Sequence, residues 1–114
     1  MANKVINVGM VGAGIIAPMH AAGFQEVPER CRVTAVCDVD AEKASEIAGL
    51  FDARVYTDYH ELIADPQVDL VDLLLPHHLH YPAAMAVLEA GKHLLLEKPV
   101  AVSYQQSLEI CHKA

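Results

Sequence analysis

Gly12-Ala13-Gly14-Ile15-Ile16-Ala17 has the G-x-G-x-x-G/A spacing of a turn that receives a pyrophosphate. Each position answers a physical demand. Gly12 allows the tight turn, Gly14 lets the backbone approach the anion, and Ala17 is small enough for helix and strand to pack closely. A helix starting here would add unbonded N–H groups and a partial positive charge. Alone, the same pattern also describes a glycine turn without a ligand. Asp38 makes it more specific. It stands 24 residues after Gly14, near the ~20-residue spacing at which a carboxylate meets the adenosine ribose hydroxyls of a dinucleotide. A turn or helix-cap aspartate is the alternative. The next residues are Val39 and Asp40, with no Arg to meet a 2′-phosphate. Two carboxylates would repel that group, so NAD is expected over NADP.

Two further groups could do chemistry. Pro76-His77-His78-Leu79-His80 holds three histidines in four positions. Imidazole suits zinc or copper, but no Cys or carboxylate at ligand spacing joins them, and adjacent His77 and His78 would point different ways. No metal is expected. His77 and His80 are instead expected beside the nicotinamide half of the dinucleotide, the plainer alternative being a polar loop before a helix. Glu97-Lys98-Pro99 follows an apolar run. A lysine at the carboxyl end of a strand could hold a substrate hydroxyl or share its proton during hydride transfer. A solvated lysine in a turn is the alternative.

These residues need elements to position them. Short apolar runs at 5–11, 32–38, 54–56, 70–75 and 93–96 read as strands. Helical segments at 15–27, 41–48, 59–64 and 81–90 separate them, and Ser103 caps a last one. Asp40 and Asp58 stand at N-cap positions, Pro18 and Pro82 in first turns, and Gly91 beyond a helix end. The run 70–75 lacks alternation, as does a strand buried on both faces. Alternating strands and helices with short loops predict a doubly wound parallel sheet of the Rossmann kind, order 3-2-1-4-5. There the loops after strands one and four diverge and form a ligand crevice. The histidine loop should then face the glycine loop across it.

Composition excludes other classes. The 114 residues fit one domain, and 8 basic against 15 acidic residues give a net charge of −7. So acidic a chain is a poor partner for nucleic acid or anionic membranes, where clustered Lys and Arg are needed. No run approaches the ~18 apolar residues of a membrane span, and a signal peptide would need a longer apolar region. Cys31, Cys37 and Cys111 cannot all pair and form no CxxC, which points to reduced thiols in the cytoplasm. The hydrophobic share, 54%, is high for one soluble domain.

Together these segments resemble the glucose-fructose oxidoreductase / inositol dehydrogenase / MocA (Gfo/Idh/MocA) family of NAD(P)-dependent oxidoreductases. The resemblance spans nearly the whole chain. It is carried by residues 8–17 with His20 after them, by 35–38, by 71–80, and most specifically by Ala90-Gly91-Lys92-His93-Leu94-Leu95-Leu96-Glu97-Lys98-Pro99. It implies pyrophosphate binding by Gly12, Gly14, Ile15 and Ile16, and adenosine ribose binding by Asp38. It implies nicotinamide-side contacts from Leu75, Pro76 and His77. Lys98, with Glu97 before it, matches the lysine that the family places near nicotinamide and substrate, and is the catalytic candidate. Two departures are visible. The family commonly has Thr-Pro-Asn where this chain has Leu75-Pro76-His77, and the third fingerprint glycine is Ala17.

The resemblance also implies a longer, two-domain enzyme whose second domain contacts substrate. By that measure residues 1–114 are the dinucleotide-binding domain, and the sixth strand and the substrate domain are expected to lie outside this chain. The leading functional expectation is the NAD-binding part of an oxidoreductase that acts on a sugar, polyol or similar secondary alcohol, with little turnover by itself. One alternative is a stand-alone nucleotide-binding or interaction module without activity. Another is an S-adenosylmethionine-binding methyltransferase domain, which also uses a glycine loop and an acid after strand two; the Glu97-Lys98-Pro99 turn argues against it. Without a sixth strand, 93–96 would be an exposed sheet edge, so self-association is expected.

Overall fold

The β-branched run at the start becomes strand β1 (Ile6–Val11), in a computed structural model that describes residues 5–96. Glu97, Lys98 and the helix expected from Ser103 lie outside the described residues. Helix α1 (Ala17–Gln25) follows the glycine turn. Then come β2 (Cys31–Cys37), α2 (Ala41–Ala48), β3 (Arg54–Tyr56), α3 (Tyr59–Ile63), β4 (Leu70–Leu73), α4 (His80–Glu89) and β5 (His93–Leu96). All strand pairs are parallel, in the order β3-β2-β1-β4-β5. This is the doubly wound Rossmann arrangement that the alternation predicts.

Local chemistry explains most element ends. The Asp40 carboxylate accepts from the Glu42 N–H at 3.1 Å, and that of Asp58 from the His60 N–H at 2.9 Å, so both cap their helices as expected. Beyond α4, Gly91 takes φ +75°. Its N–H bonds the Leu88 carbonyl at 3.0 Å while Lys92 bonds that of Val87 at 3.2 Å, a Schellman ending. Helix α1 is shorter than 15–27. Ile16 serves as its N-cap residue, and Val27 precedes Pro28, which disfavours helical backbone there. Strand β4 stops at Leu73 rather than residue 75: the Leu74 N–H still bonds the Val11 carbonyl at 2.8 Å, but there β1 ends and the chain turns away at Gly12.

Helices cover both sheet faces, so two cores form. Val8, Met10, Val33 and Val36 pack against Ala17 and Ala21 of α1 and Ala44, Ile47 and Ala48 of α2. On the other face Val71 and Leu73 pack against Leu62 and Ile63 of α3 and Ala83, Ala84 and Val87 of α4. Burial on both faces accounts for the missing alternation in β4 and for part of the apolar excess.

Two features break the regular pattern. Val8 pairs with Val33 but Gly9 with Ala35, which leaves Thr34 as an extra residue in β2. Asp65 is buried and ties β3 to the loop before β4. Its Oδ2 accepts from the Tyr56 hydroxyl at 2.9 Å and the Arg54 guanidinium at 3.1 Å, and its Oδ1 from the Gln67 N–H at 2.9 Å. Burial pushes this carboxyl up, but those three donors outweigh it and hold the group below its ordinary value. Among the described residues, no helix is long and apolar enough to cross a membrane.

Candidate dinucleotide-binding site

Strands β1 and β4 are neighbours at the point where the order of the strands across the sheet reverses. A crevice of about 770 Å³ opens at their carboxyl ends, within the usual size of cofactor sites. Gly12 begins its floor with φ +103°. Its N–H donates to the Cys37 carbonyl at 2.7 Å, joining the turn to β2. A Cβ on Gly12 would stand 2.9 Å from the backbone carbonyl of Leu74. The turn is thus wedged between its two neighbouring strands, which is why only glycine fits.

Gly14 has the opposite surroundings. A Cβ there would meet nothing within 4 Å, and its backbone is not in the left-handed region. The fold does not demand glycine at this position, and the space over it is open to the crevice. Ala17 is fully buried against the sheet, so the helix starts close to β1. Helix α1 has no side-chain N-cap and no acidic residue in its first turn. Pro18 has no N–H, and the Ala17 and Met19 N–H groups bond the Gly14 and Ile16 carbonyls at 3.2 and 3.1 Å. The donors offered to an anion at this positive dipole end are therefore those of Gly14, Ile15 and Ile16, with no capping side chain in the way.

Asp38 follows β2 and is held from both sides. Its Oδ2 accepts from the Ala13 N–H at 2.8 Å and its Oδ1 from the Asp40 N–H at 2.8 Å. These bonds fix the carboxylate beside the glycine turn, and each oxygen retains a lone pair for a further donor. The crevice combines a dipole for phosphates with a carboxylate for hydroxyls, a donor set that fits a dinucleotide.

Gly12, Gly14, Ile15, Ile16, Asp38, Leu75 and Pro76 all line this crevice. Ile15 and Val39 are 99% and 91% exposed, apolar side chains on its rim. The sequence reading missed Cys37, Thr57, Tyr59 and Leu79 as lining residues. Thr57 and Tyr59 reach the site because β3 pairs with β2, shown by the Asp38 N–H bonding the Tyr56 carbonyl at 3.1 Å. Their flanking of the Asp58 cap was the available signal. Burial first, then Asp38, Asp58 and Glu61, push the Cys37 thiol up to about 11, so it stays protonated at neutral pH.

The histidine loop departs from expectation. His80 does not face the crevice. It is buried, and its Nε2 donates to the Leu75 carbonyl at 2.7 Å. The reason is helical: the chain enters a 3₁₀ turn at His77–Leu79 and then α4, which turns residue 80 into the core and leaves Leu79 on the crevice wall. His80 thus braces the loop that carries Leu75 instead of lying beside a nicotinamide. His77 opens the 3₁₀ turn directly after Pro76. Among the described residues, no group of three His, Cys, Asp or Glu is arranged to hold a metal ion.

Fold and crevice together define a dinucleotide-binding domain. Residues 6–114 match the oxidoreductase family Gfo/Idh/MocA, NAD-binding Rossmann fold, and the chain belongs to that family. It is similar to the inositol 2-dehydrogenase/D-chiro-inositol 3-dehydrogenase of Lactiplantibacillus plantarum, 39% identical over 109 residues, covering 93% of this chain and 31% of that protein. Among solved structures it resembles the WlbA dehydrogenase of Chromobacterium violaceum in complex with NADH and UDP-GlcNAcA. The TM-score there is 0.93 at 28% identity, over 100% of this chain and 33% of that one. It also resembles myo-inositol dehydrogenase from Lactobacillus casei in complex with NAD(H) and myo-inositol. Here the TM-score is 0.82 at 29% identity, over 96% of this chain and 33% of that one. The chain spans about a third of the length of these relatives.

Proposed function

We propose that the protein is an NAD-dependent dehydrogenase of a sugar, polyol or similar secondary alcohol, and that residues 1–114 are its dinucleotide-binding domain. One observation carries the reading: the open side of Gly14, the uncapped start of α1 and the braced Asp38 carboxylate meet in a single crevice. The names of the inositol dehydrogenase relatives support the substrate class.

NAD, when bound, supplies the hydride acceptor. The N–H groups of Gly14, Ile15 and Ile16 at the entry to α1 would hold the pyrophosphate, and Asp38 would accept from the adenosine ribose hydroxyls. Because its carboxylate cannot swing away, a 2′-phosphate meets a fixed negative charge, and NADP binds more weakly than NAD. Leu75 and Pro76 wall the nicotinamide side and keep water from it, with His77 adjoining through its backbone. Lys98, with Glu97 before it, is the residue assigned to the substrate oxygen. Lys98 would take the hydroxyl proton of the alcohol, while bound NAD would supply the acceptor for the hydride from the carbinol carbon.

The test is an NADH absorbance assay of the intact protein against a panel of cyclic polyols and aldoses. Turnover is expected with NAD, with kcat/KM roughly tenfold or more lower for NADP. Lys98→Ala should lose about 10²–10⁴ in kcat, the usual worth of a positioned acid–base group. Binding of NAD without oxidation of any alcohol would favour a non-catalytic nucleotide-binding module.

The self-association reading rests on β5. It is the outermost strand of the described sheet, and Leu95 is 41% exposed. Light scattering of the isolated 114-residue chain should return a dimer or larger species, and a monomeric mass at high concentration would contradict it. Cys31 and Cys37 are both free thiols, which suits a reducing cytoplasm.

A further inference from the structure

Helix α1 continues directly from the turn whose Gly14, Ile15 and Ile16 N–H groups face the crevice, yet the part of the helix nearest that turn has little apolar surface to hold it in place. Phe24 packs partly against the core near the far end of the helix, but nearer the crevice the buried side chains are Ala17 and Ala21. They are small because the helix must lie close to the sheet, and two methyl groups remove little apolar area from water. A helix fixed so lightly at this end can slide or rotate by a fraction of an ångström, and such a shift carries the Gly14, Ile15 and Ile16 N–H groups that lead into it off the pyrophosphate oxygens.

A polar pair supplies the missing constraint. His20, in α1, directs Nδ1 at the Oδ2 of Asp72, 2.7 Å away. Asp72 lies in β4 and is 0% exposed. Its neighbours Val71 and Leu73 join the core under α3 and α4, so Asp72 projects to the α1 face, where the surrounding core is apolar. A carboxylate buried there is costly unless hydrogen-bonded. Replacing such a pair with apolar side chains often leaves stability unchanged, so the use that suits it is setting the register of one element on another. The bond is short and directional, so it fixes both the height and the rotation of α1.

Strand β4 also leads into the opposite wall of the crevice. The Leu74 N–H bonds the Val11 carbonyl at 2.8 Å, and the Leu74 backbone abuts Gly12. The His20–Asp72 pair therefore joins the helix on one side of the crevice to the strand that begins the other side. His80, bonded to the Leu75 carbonyl, steadies that second wall.

We propose that His20 is a positioning residue for the dinucleotide: through Asp72 it sets the N-terminus of α1 against β4 at the distance a pyrophosphate needs. The inference rests on the NAD-binding reading above. It concerns a residue that lies outside the crevice lining and is separated from its partner by 52 positions.

The atom doing the work, Nδ1, gives a sharp test. In His20→Asn the side-chain amide nitrogen can occupy the Nδ1 position, in His20→Gln it falls where Nε2 was, and His20→Leu has no donor. NAD binding to the intact protein is measured by calorimetry, and amide hydrogen exchange is followed without NAD. His20→Gln and His20→Leu should bind NAD about tenfold or more weakly, and His20→Asn within about threefold of the parent. Exchange in α1 should quicken in the two weak binders while β1 and β4 keep their protection. Parent-like affinity in His20→Gln, or equal weakening in all three variants with loss of sheet protection, would overturn the proposal. If His20→Gln and His20→Leu fail to fold, Asp72→Leu, which has no acceptor for Nδ1, carries the test through the same two readouts, with weaker NAD binding and faster α1 exchange expected and an unchanged pair of values against. A parent protein that binds no NAD overturns the function itself, whereas a binding parent with indifferent variants overturns the His20 role alone.

Discussion

Replacing Gly12 with Ala should destabilise the protein by about 2–6 kcal/mol. Two costs add. At φ +103° an L-residue sits outside its comfortable regions, worth about 1–3 kcal/mol of strain. The new methyl would also stand 2.9 Å from the Leu74 carbonyl. That neighbour is backbone in a hydrogen-bonded segment and cannot rotate away, so overpacking adds about 1–3 kcal/mol. Against a typical total of about 5–15 kcal/mol, such a loss brings the variant close to unfolding at ordinary temperature. The measurement is urea unfolding, read as a lower midpoint at unchanged slope. An unshifted midpoint would mean that the turn is not wedged between β2 and the Leu74 segment as described.

Gly14→Val should do the reverse: leave stability within about 0.5 kcal/mol, as for a typical surface substitution, and remove NAD binding by about a hundredfold or more. Nothing in the protein lies within 4 Å of a Cβ at this position, and its backbone suits any residue. The fold should accept valine, with a slight entropic gain from a stiffer unfolded chain. The branched side chain would instead fill the space that the pyrophosphate must enter. Thermal unfolding and calorimetric titration with NAD, run on the same preparation, check both halves. Unchanged NAD affinity would show that the ligand does not pass over Gly14. The pair of variants separates two reasons for glycine in one turn, the first internal to the fold and the second belonging to the ligand.

Much of the scaffold was legible because it is written locally. Asp40 and Asp58 cap helices two residues before the N–H groups they bind, and Gly91 ends α4 through its own left-handed backbone. Strand–helix alternation then restricts the connections to right-handed crossovers, and the order β3-β2-β1-β4-β5 follows. The crevice residues from Gly12 to Ile16, with Asp38, Leu75 and Pro76, were legible for the same reason, since the topology places their loops together.

What escaped depends on which way a side chain turns. His80 shares a loop with crevice residues, but the onset of α4 rotates it inward, and one residue of helical phase puts Leu79 on the wall instead. Thr34 is extra in β2 only relative to β1, a relation between two strands that neither segment reveals alone. His20 and Asp72 read as a polar helix position and an interruption in an apolar strand. Only the packing of α1 across β4 makes them a pair. The sequence signal was Asp72 itself, a charge in a strand expected to be buried on both faces.

The claim that this crevice is an NAD site is tested most directly by following backbone amide NMR shifts during a titration with NAD. Saturating shifts should appear at Gly12, Gly14, Ile15, Ile16, Asp38 and Leu75, and be small in Asn7, Arg32 and Gln67 at the other end of the sheet. No saturation, or shifts concentrated at that far end, would contradict it.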